Sequence, residues 1–419
     1  MGRVILHSDL NNFYASVSCL NQPSLKGRPV AVCGNPEVRH GIILAKNESA
    51  KGCGVTTGQP IWMAKQRCPE LILLPPEYDR YQEFSRIARQ IYAEYTDQVE
   101  PFGLDECWLD VTASRRFGDG REIADRLRER IRKELGLTVS VGVSYNKIFA
   151  KLGSDMKKPD ATTVIPEDRF RELVWPLPAT DLLYVGRSTA GKLSRCGIRT
   201  IGELAQANQE FLYHLLGKNG MLLWRSANGL DRSEVAGINA LAQVQSVGNG
   251  VTLPRDLTTP EEVKLVLYLL CETVSTRLRQ QGLICRTVTV GIKDHTLSHY
   301  ERQMPLPYPC RAVKPLFEAV YHLFTAHPIE DKPVRALSVR ASRLSPENAD
   351  QLSFFPEVTA LLRQETLDST ADELRQRFGR RAIRRGILLT DQTLSDMDPL
   401  EPHSVYPSSF FAPPLTDGR

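Results

Sequence analysis

The chain has 419 residues, 42% hydrophobic and 24% charged, which is material for about three buried cores and the composition of an ordinary soluble globular protein. A net charge of +4 and a pI near 8.5 are compatible with a nucleic-acid partner without arguing for one; positive charge would have to be gathered on particular faces. Nine cysteines, odd in number and without a Cys-x-x-Cys pair, exclude a disulfide framework and a zinc site and fit a reducing cytosol.

The N-terminus has no apolar run of signal-peptide length, and Leu6 breaks the myristoylation pattern. No stretch approaches the roughly 20 apolar residues of a membrane span, so a soluble, cytoplasmic protein is expected. Val4–His7 reads as an opening strand and residues 12–20 as a helix. Pro29–Cys33 and Gly41–Ala45 read as two strands around a turn. Residues 78–96 place Tyr81, Phe84, Ile87, Ala88, Ile91, Tyr92 and Tyr95 at helical spacing. A strand pattern ends at Cys107–Val111, an amphipathic helix follows at 120–135, and a strand at 138–143. This alternation predicts an α+β sheet domain. Residues 169–236 read as a small helical unit punctuated by glycines, and 237–246 as a linker. In 247–344 two strands stand out, in which Val288, Val290, Ile292 and Leu337, Val339, Ala341 alternate with polar residues. From about 391 the composition predicts disorder.

Asp9 ends the first strand, and Asp105-Glu106 precedes a later one. An Asp-Glu pair turns up by chance about once in a few hundred residues, and alone it reads as a solvated turn. Neighbouring strand residues point to opposite faces, so both acids reach one site only where the backbone bends, which Gly103 permits. Three clustered carboxylates raise one another's pKa unless cations are bound. Mg²⁺ prefers such oxygen ligands together with substrate phosphates, and two ions can serve an in-line phosphoryl displacement.

Three segments resemble the motifs of Y-family DNA polymerases, closest to the DinB branch: His7–Val17, Gly103–Asp110, and Val141–Leu152 followed by Asp155–Pro159. They occur in order, and the resemblance runs from residue 1 to about 344. It implies a multidomain α+β right hand: palm at 1–10 and 77–168, fingers at 11–76, a helix-hairpin-helix thumb at 169–236, the linker, and a C-terminal α/β little finger at 247–344. It implies template-directed, low-fidelity translesion synthesis from dNTPs on primer–template DNA. Asp9, Asp105 and Glu106, with the Leu10 carbonyl, would bind two Mg²⁺. Tyr14 would exclude the ribose 2′-hydroxyl, since a flat ring under the sugar leaves no room for one more oxygen. Phe13, Asn47, Lys51 and Lys158 would contact nucleotide. The fingers segment Ala45–Lys51 departs from the family pattern. Glu48 stands where a tyrosine is usual and would repel triphosphate unless it points away; Lys51 stands where an arginine is usual and lacks the bidentate fork. Lys46 could share its phosphate contact.

Gly186, Arg187 and Ser188 sit in the hairpin-like segment Leu183–Leu193, where a helix N-terminus can offer N–H groups to DNA phosphate; the plain alternative is a helix–loop–helix. The polar strand residues Thr287, Thr289, Lys293, Ser338, Arg340 and Ser342 suit a sugar–phosphate backbone, or form a solvated face. The tail at 345–419 is expected to be partly disordered. Its Gln351-Leu352-Ser353-Phe354-Phe355 resembles a bacterial sliding-clamp peptide, with Gln351, Leu352, Phe354 and Phe355 as contacts; the alternative is a fragment of local core. The chain would act as a monomer. Two other functions are compatible: a non-catalytic DNA- and clamp-binding scaffold of the same fold, and a palm-fold nucleotide cyclase, which leaves the thumb, last domain and peptide without a task.

Overall fold

A computed structural model describes residues 2–34, 41–238, 240, 244–326, 332–347, 356–379 and 381–397. They form two compact units that divide at about residue 241.

The first unit contains eight strands, β1 (Ile5–Leu10), β2 (Val30–Cys33), β3 (Ile43–Lys46), β4 (Ile72–Leu74), β5 (Val99–Pro101), β6 (Glu106–Asp110), β7 (Val139–Ser144) and β8 (Thr162–Ile165). Five make a sheet in the order β5-β6-β1-β7-β8, and the others make a small sheet, β3-β2-β4. β1 is central and buried along its whole length, antiparallel to β6 and to β7.

One face of the five-stranded sheet, with Leu6, Leu109 and Val141, packs on the helices Tyr78–Ala93 and Gly120–Arg130 through Tyr81, Ile91, Tyr92, Ile123 and Leu127. The second of these helices starts in a capping box made by Asp119 and Glu122, which satisfies two orphan donors of its first turn. The other face, with Ile5 and Trp108, meets Ala150 of the helix Lys147–Met156. That helix rests directly on the backbone of β7. A Cβ on Gly142 would lie 1.9 Å from the Ala150 carbonyl oxygen and 2.5 Å from the Ser154 nitrogen. Backbone cannot retreat as a side-chain tip can, so Gly142→Ala is expected to lower stability by ~1–3 kcal/mol, read as a lower denaturant midpoint; an unchanged midpoint would refute this packing.

Residues 187–227 form four short helices, Arg187–Arg195, Ile201–Gln206, Gln209–Leu216 and Lys218–Ala227, around Leu193, Leu204, Leu212 and Leu223.

The second unit has β9 (Ser246–Leu257), β10 (Leu283–Asp294), β11 (His299–Cys310) and β12 (Val334–Pro346), in the antiparallel order β11-β10-β12-β9. The helices Pro260–Gln280 and Val313–Thr325 share its core. The unit does not end at 344. A helix, Pro356–Phe378, and two short turns, Gly386–Leu389 and Gln392–Ser395, pack onto it, which corrects the expectation of a tail from 345; of the stretch expected to be disordered from about 391, residues 391–397 are described and 398–419 lie outside the described residues. Ion pairs supply much of the attachment. The Asp368 carboxylate, 1% exposed, accepts from the Val313 N–H at 2.8 Å and is paired with Arg385; Glu272 meets Arg375 at 3.1 Å and Arg385 at 3.2 Å.

Candidate active site

The central strand brings the acids together. Asp9 lies opposite Glu106 in the β1–β6 register, and the Leu10 N–H donates to the Asp105 carbonyl at 2.9 Å. Gly103 supplies the bend, at φ 91°. Residues 9, 105 and 106, far apart in the chain, therefore share one end of the sheet.

Their electrostatics are those of a crowded anionic site. Burial, then the charges of Asp9 and Glu106, push the Asp105 carboxyl up to about 7. Burial also raises Asp9, against the pull of Lys158. Burial would raise Glu106 too, but contact with His7 and the Lys151 ammonium hold it at about 2.

Two lysines balance the cluster. Lys151 Nζ lies 3.3 Å from Asp9, 3.1 Å from Glu106 and 3.0 Å from Asp155. Lys158 Nζ lies 2.7 Å from Asp9 and 2.9 Å from Asp155. Burial would lower the Lys151 ammonium, yet Glu106, Asp9 and Asp155 keep it protonated above its usual range. Lys158 thus stands where expected, whereas Lys151 and Asp155 were not singled out from the sequence. The available signal was their spacing: 151 and 155 are at i and i+4, one face of the helix Lys147–Met156, with Lys158 just beyond its end.

His7 was also missed, although it lies two residues before Asp9 and so on the same strand face. Its ring is fully buried, and burial pushes it down to about 4, so it is neutral. Ser154 Oγ donates to the Lys151 carbonyl at 2.7 Å and lies 2.9 Å from His7 Nδ1. His7 Nε2 faces Glu106 Oε2 at 3.3 Å.

The donor set suits a hard cation. Oxygen ligands predominate, the cluster carries excess negative charge, and the crowding that raises Asp105 is what a bound cation relieves. Among the described residues no three acidic, histidine or cysteine side chains already converge at ligating distance. The two ammonium groups stand among the carboxylates instead.

Tyr14 lies in the helix Phe13–Cys19, beside this cluster. Burial, then the Asp105 charge, raise its phenol. Its ring stacks on Tyr81 at 4.3 Å and 6°, with Tyr78 edge-on at 6.0 Å. Phe13 is 3% exposed and packs against Tyr14 and Tyr81, so it is a core side chain and not the expected nucleotide contact. Asn47 is corrected too. Its side-chain oxygen accepts from the Val30 and Ala50 N–H groups, each at 3.0 Å, and its amide donates to the Arg28 carbonyl at 2.7 Å. It caps the helix Glu48–Gly52 and ties it to β2. Lys51 is exposed and lies 3.6 Å from Glu48. Lys46 donates to Thr57 at 3.2 Å.

Gly186, Arg187 and Ser188 are exposed at the start of the helix Arg187–Arg195, and no side chain caps it. Tyr184 takes the left-handed conformation at φ 73°. In the second unit Arg340 is exposed and Lys293 half-buried. Thr287 and Thr289 are 7% and 3% exposed, which removes them as direct phosphate contacts. β10 is an interior strand, and its short threonines lie between the longer residues of β11 and β12: Thr289 pairs with Gln303 and Arg340. The peptide Gln351, Leu352, Phe354 and Phe355 lies outside the described residues. No described helix is long and apolar enough to cross a membrane.

Residues 8–155 match the impB/mucB/samB family, and residues 244–354 match the C-terminal domain of that family. The chain is 51% identical to a protein named DNA polymerase IV from Acetivibrio thermocellus, over 94% of this chain and 100% of that one. It is 39% identical to a DNA polymerase IV from Moorella thermoacetica, over 92% of this chain and 96% of the relative. A solved Y-family DNA polymerase chimera superposes with a TM-score of 0.74 at 23% identity, covering 82% of this chain and 99% of the chimera; at that identity it attests the fold.

Proposed function

We infer, from the premise that this chain belongs to the impB/mucB/samB family as a bacterial DinB-like Y-family DNA polymerase, that its chemistry is nucleotidyl transfer from a dNTP to a primer 3′-hydroxyl at Asp9, Asp105 and Glu106. The enzyme is a template-directed, low-fidelity translesion polymerase of palm, fingers, thumb and little finger, and it is metal-dependent. The observation that supports this assignment of the site is the pairing of Asp9 opposite Glu106, with Asp105 one residue away in the same buried, electron-rich cluster.

Asp9, Asp105, Glu106 and the Leu10 carbonyl would hold two Mg²⁺. Metal held by these groups would supply Lewis-acid chemistry, making the primer hydroxyl easier to deprotonate and stabilising charge on the leaving pyrophosphate. The protein's own groups do the rest. Lys158, paired with Asp9 and Asp155 here, exchanges those carboxylates for a triphosphate when nucleotide binds. Lys151 and His7 confine Glu106, so its carboxylate enters the reaction already oriented. The Tyr14–Tyr81 stack forms a rigid wall at the sugar. Gly186, Arg187, Ser188, Lys293 and Arg340 present donors to DNA phosphates, contacts that position without reading sequence.

Primer extension with Mg²⁺ tests this reading. Template-directed addition supports it. Primer–template binding without extension would favour the scaffold, and cyclic product from NTP alone would favour the cyclase. The enzyme would act as a monomer in the bacterial cytoplasm and meet a sliding clamp through 351–355. Deleting those five residues is expected to reduce extension about 10-fold or more with a loaded clamp, because tethering raises effective concentration, and to leave clamp-free extension unchanged. Equal loss in both assays would contradict the clamp role.

A further inference from the structure

We propose that Glu48 sets nucleotide affinity, by holding the Lys51 ammonium in the nucleotide-free enzyme so that a triphosphate must displace a carboxylate to reach it. This deepens the polymerase reading and rests on it.

The geometry is specific. Glu48 is the first residue of the helix Glu48–Gly52, whose start is fixed by the three hydrogen bonds of Asn47. One oxygen of its carboxylate accepts from Asn12 Nδ2 at 2.9 Å. The other lies 3.6 Å from Lys51 Nζ. Asn12 is the N-cap residue of the helix that carries Tyr14, held in the left-handed conformation at φ 51°. Glu48 therefore links the helix bearing Lys51 to the start of the gate helix.

The second nearby cation does not relieve this arrangement. Lys46 is turned to Thr57, and burial followed by the Lys51 charge depresses its ammonium. An incoming triphosphate thus meets a lysine already partnered, next to a negative charge. Both partners of the Glu48–Lys51 pair are about half exposed, at 47% and 52%. The effect is accordingly modest, since exposed pairs are weak.

The test separates charge from anchoring. Glu48→Gln keeps an oxygen for Asn12 and removes the charge opposite Lys51. Steady-state extension is expected to show KM for dNTP reduced about threefold to tenfold, with kcat within about twofold. In a Lys51→Met background the same substitution should leave KM unchanged, because the group it releases is gone. An unchanged or raised KM in the single variant, or an equal drop in the Lys51→Met background, would overturn the proposal. Absence of template-directed extension by the unsubstituted chain would instead defeat the polymerase reading, and with it this inference.

Discussion

Asp105→Asn is expected to lower single-turnover primer extension by about 10³-fold or more. Losing one charged ligand of a metal-assisted displacement removes several kcal/mol of transition-state stabilisation, at about 1.4 kcal/mol per tenfold. DNA affinity should change little, because the phosphate contacts lie elsewhere on the protein. The substitution also has a stability signature. The Asp105 carboxyl is pushed from an ordinary 3.8 to about 7 by burial and by Asp9 and Glu106. An acid raised on folding binds its proton more tightly in the native state. Its ionisation therefore destabilises the fold progressively between about pH 4 and pH 7, and fully above that. In the absence of divalent metal, Asp105→Asn should raise Tm at pH 8, with the gain shrinking toward pH 5. A Tm change that is independent of pH, or extension that survives, would remove Asp105 from the cluster.

Tyr14→Ala is expected to admit ribonucleotides, raising the ratio of ribonucleotide to deoxyribonucleotide incorporation by roughly 10²-fold, the scale of a relieved clash worth ~3 kcal/mol. The proposed wall is held in place by its neighbours. Tyr14 is stacked on Tyr81, Tyr78 closes it edge-on, and Tyr81 is itself hydrogen-bonded through its hydroxyl to Ser18 at 2.7 Å. Tyr14→Phe keeps the ring and should keep the discrimination; loss in both variants would mean that the hydroxyl, and not the shape of the ring, excludes the 2′-oxygen.

The elements that the sequence disclosed are those where local pattern and tertiary environment agree. β1, β7 and the helix Tyr78–Ala93 show apolar periodicity because one or both faces are buried against the same core. The proposed catalytic acids were legible through the motifs that resemble the family's, and their meeting needs only antiparallel pairing of an Asp at a strand end with a Gly-preceded Asp-Glu pair. His7 and Lys151 were harder, since their importance lies in contacts across more than a hundred residues that single-element spacing only hints at, and Asp155 matters through the two lysines it meets. Thr287 and Thr289 misled because alternation assigns a face but not its coverage; neighbouring strands bury short side chains that would be exposed at an edge. The helix Pro356–Phe378 escaped because charged residues hold much of it in place. Asp368 and Asp372 reach Arg385 and Arg279 on its partners, and such residues read in a sequence as a solvated surface.

Anomalous diffraction from Mn²⁺, bound with primer–template DNA and a non-hydrolysable dNTP, tests the central assignment most directly. The account predicts two peaks, each within about 2.3 Å of carboxylate oxygens from Asp9, Asp105 or Glu106, with the Lys158 ammonium moved from Asp9 to the triphosphate. No peak among these acids, or an ion held by a different set of residues, would contradict it.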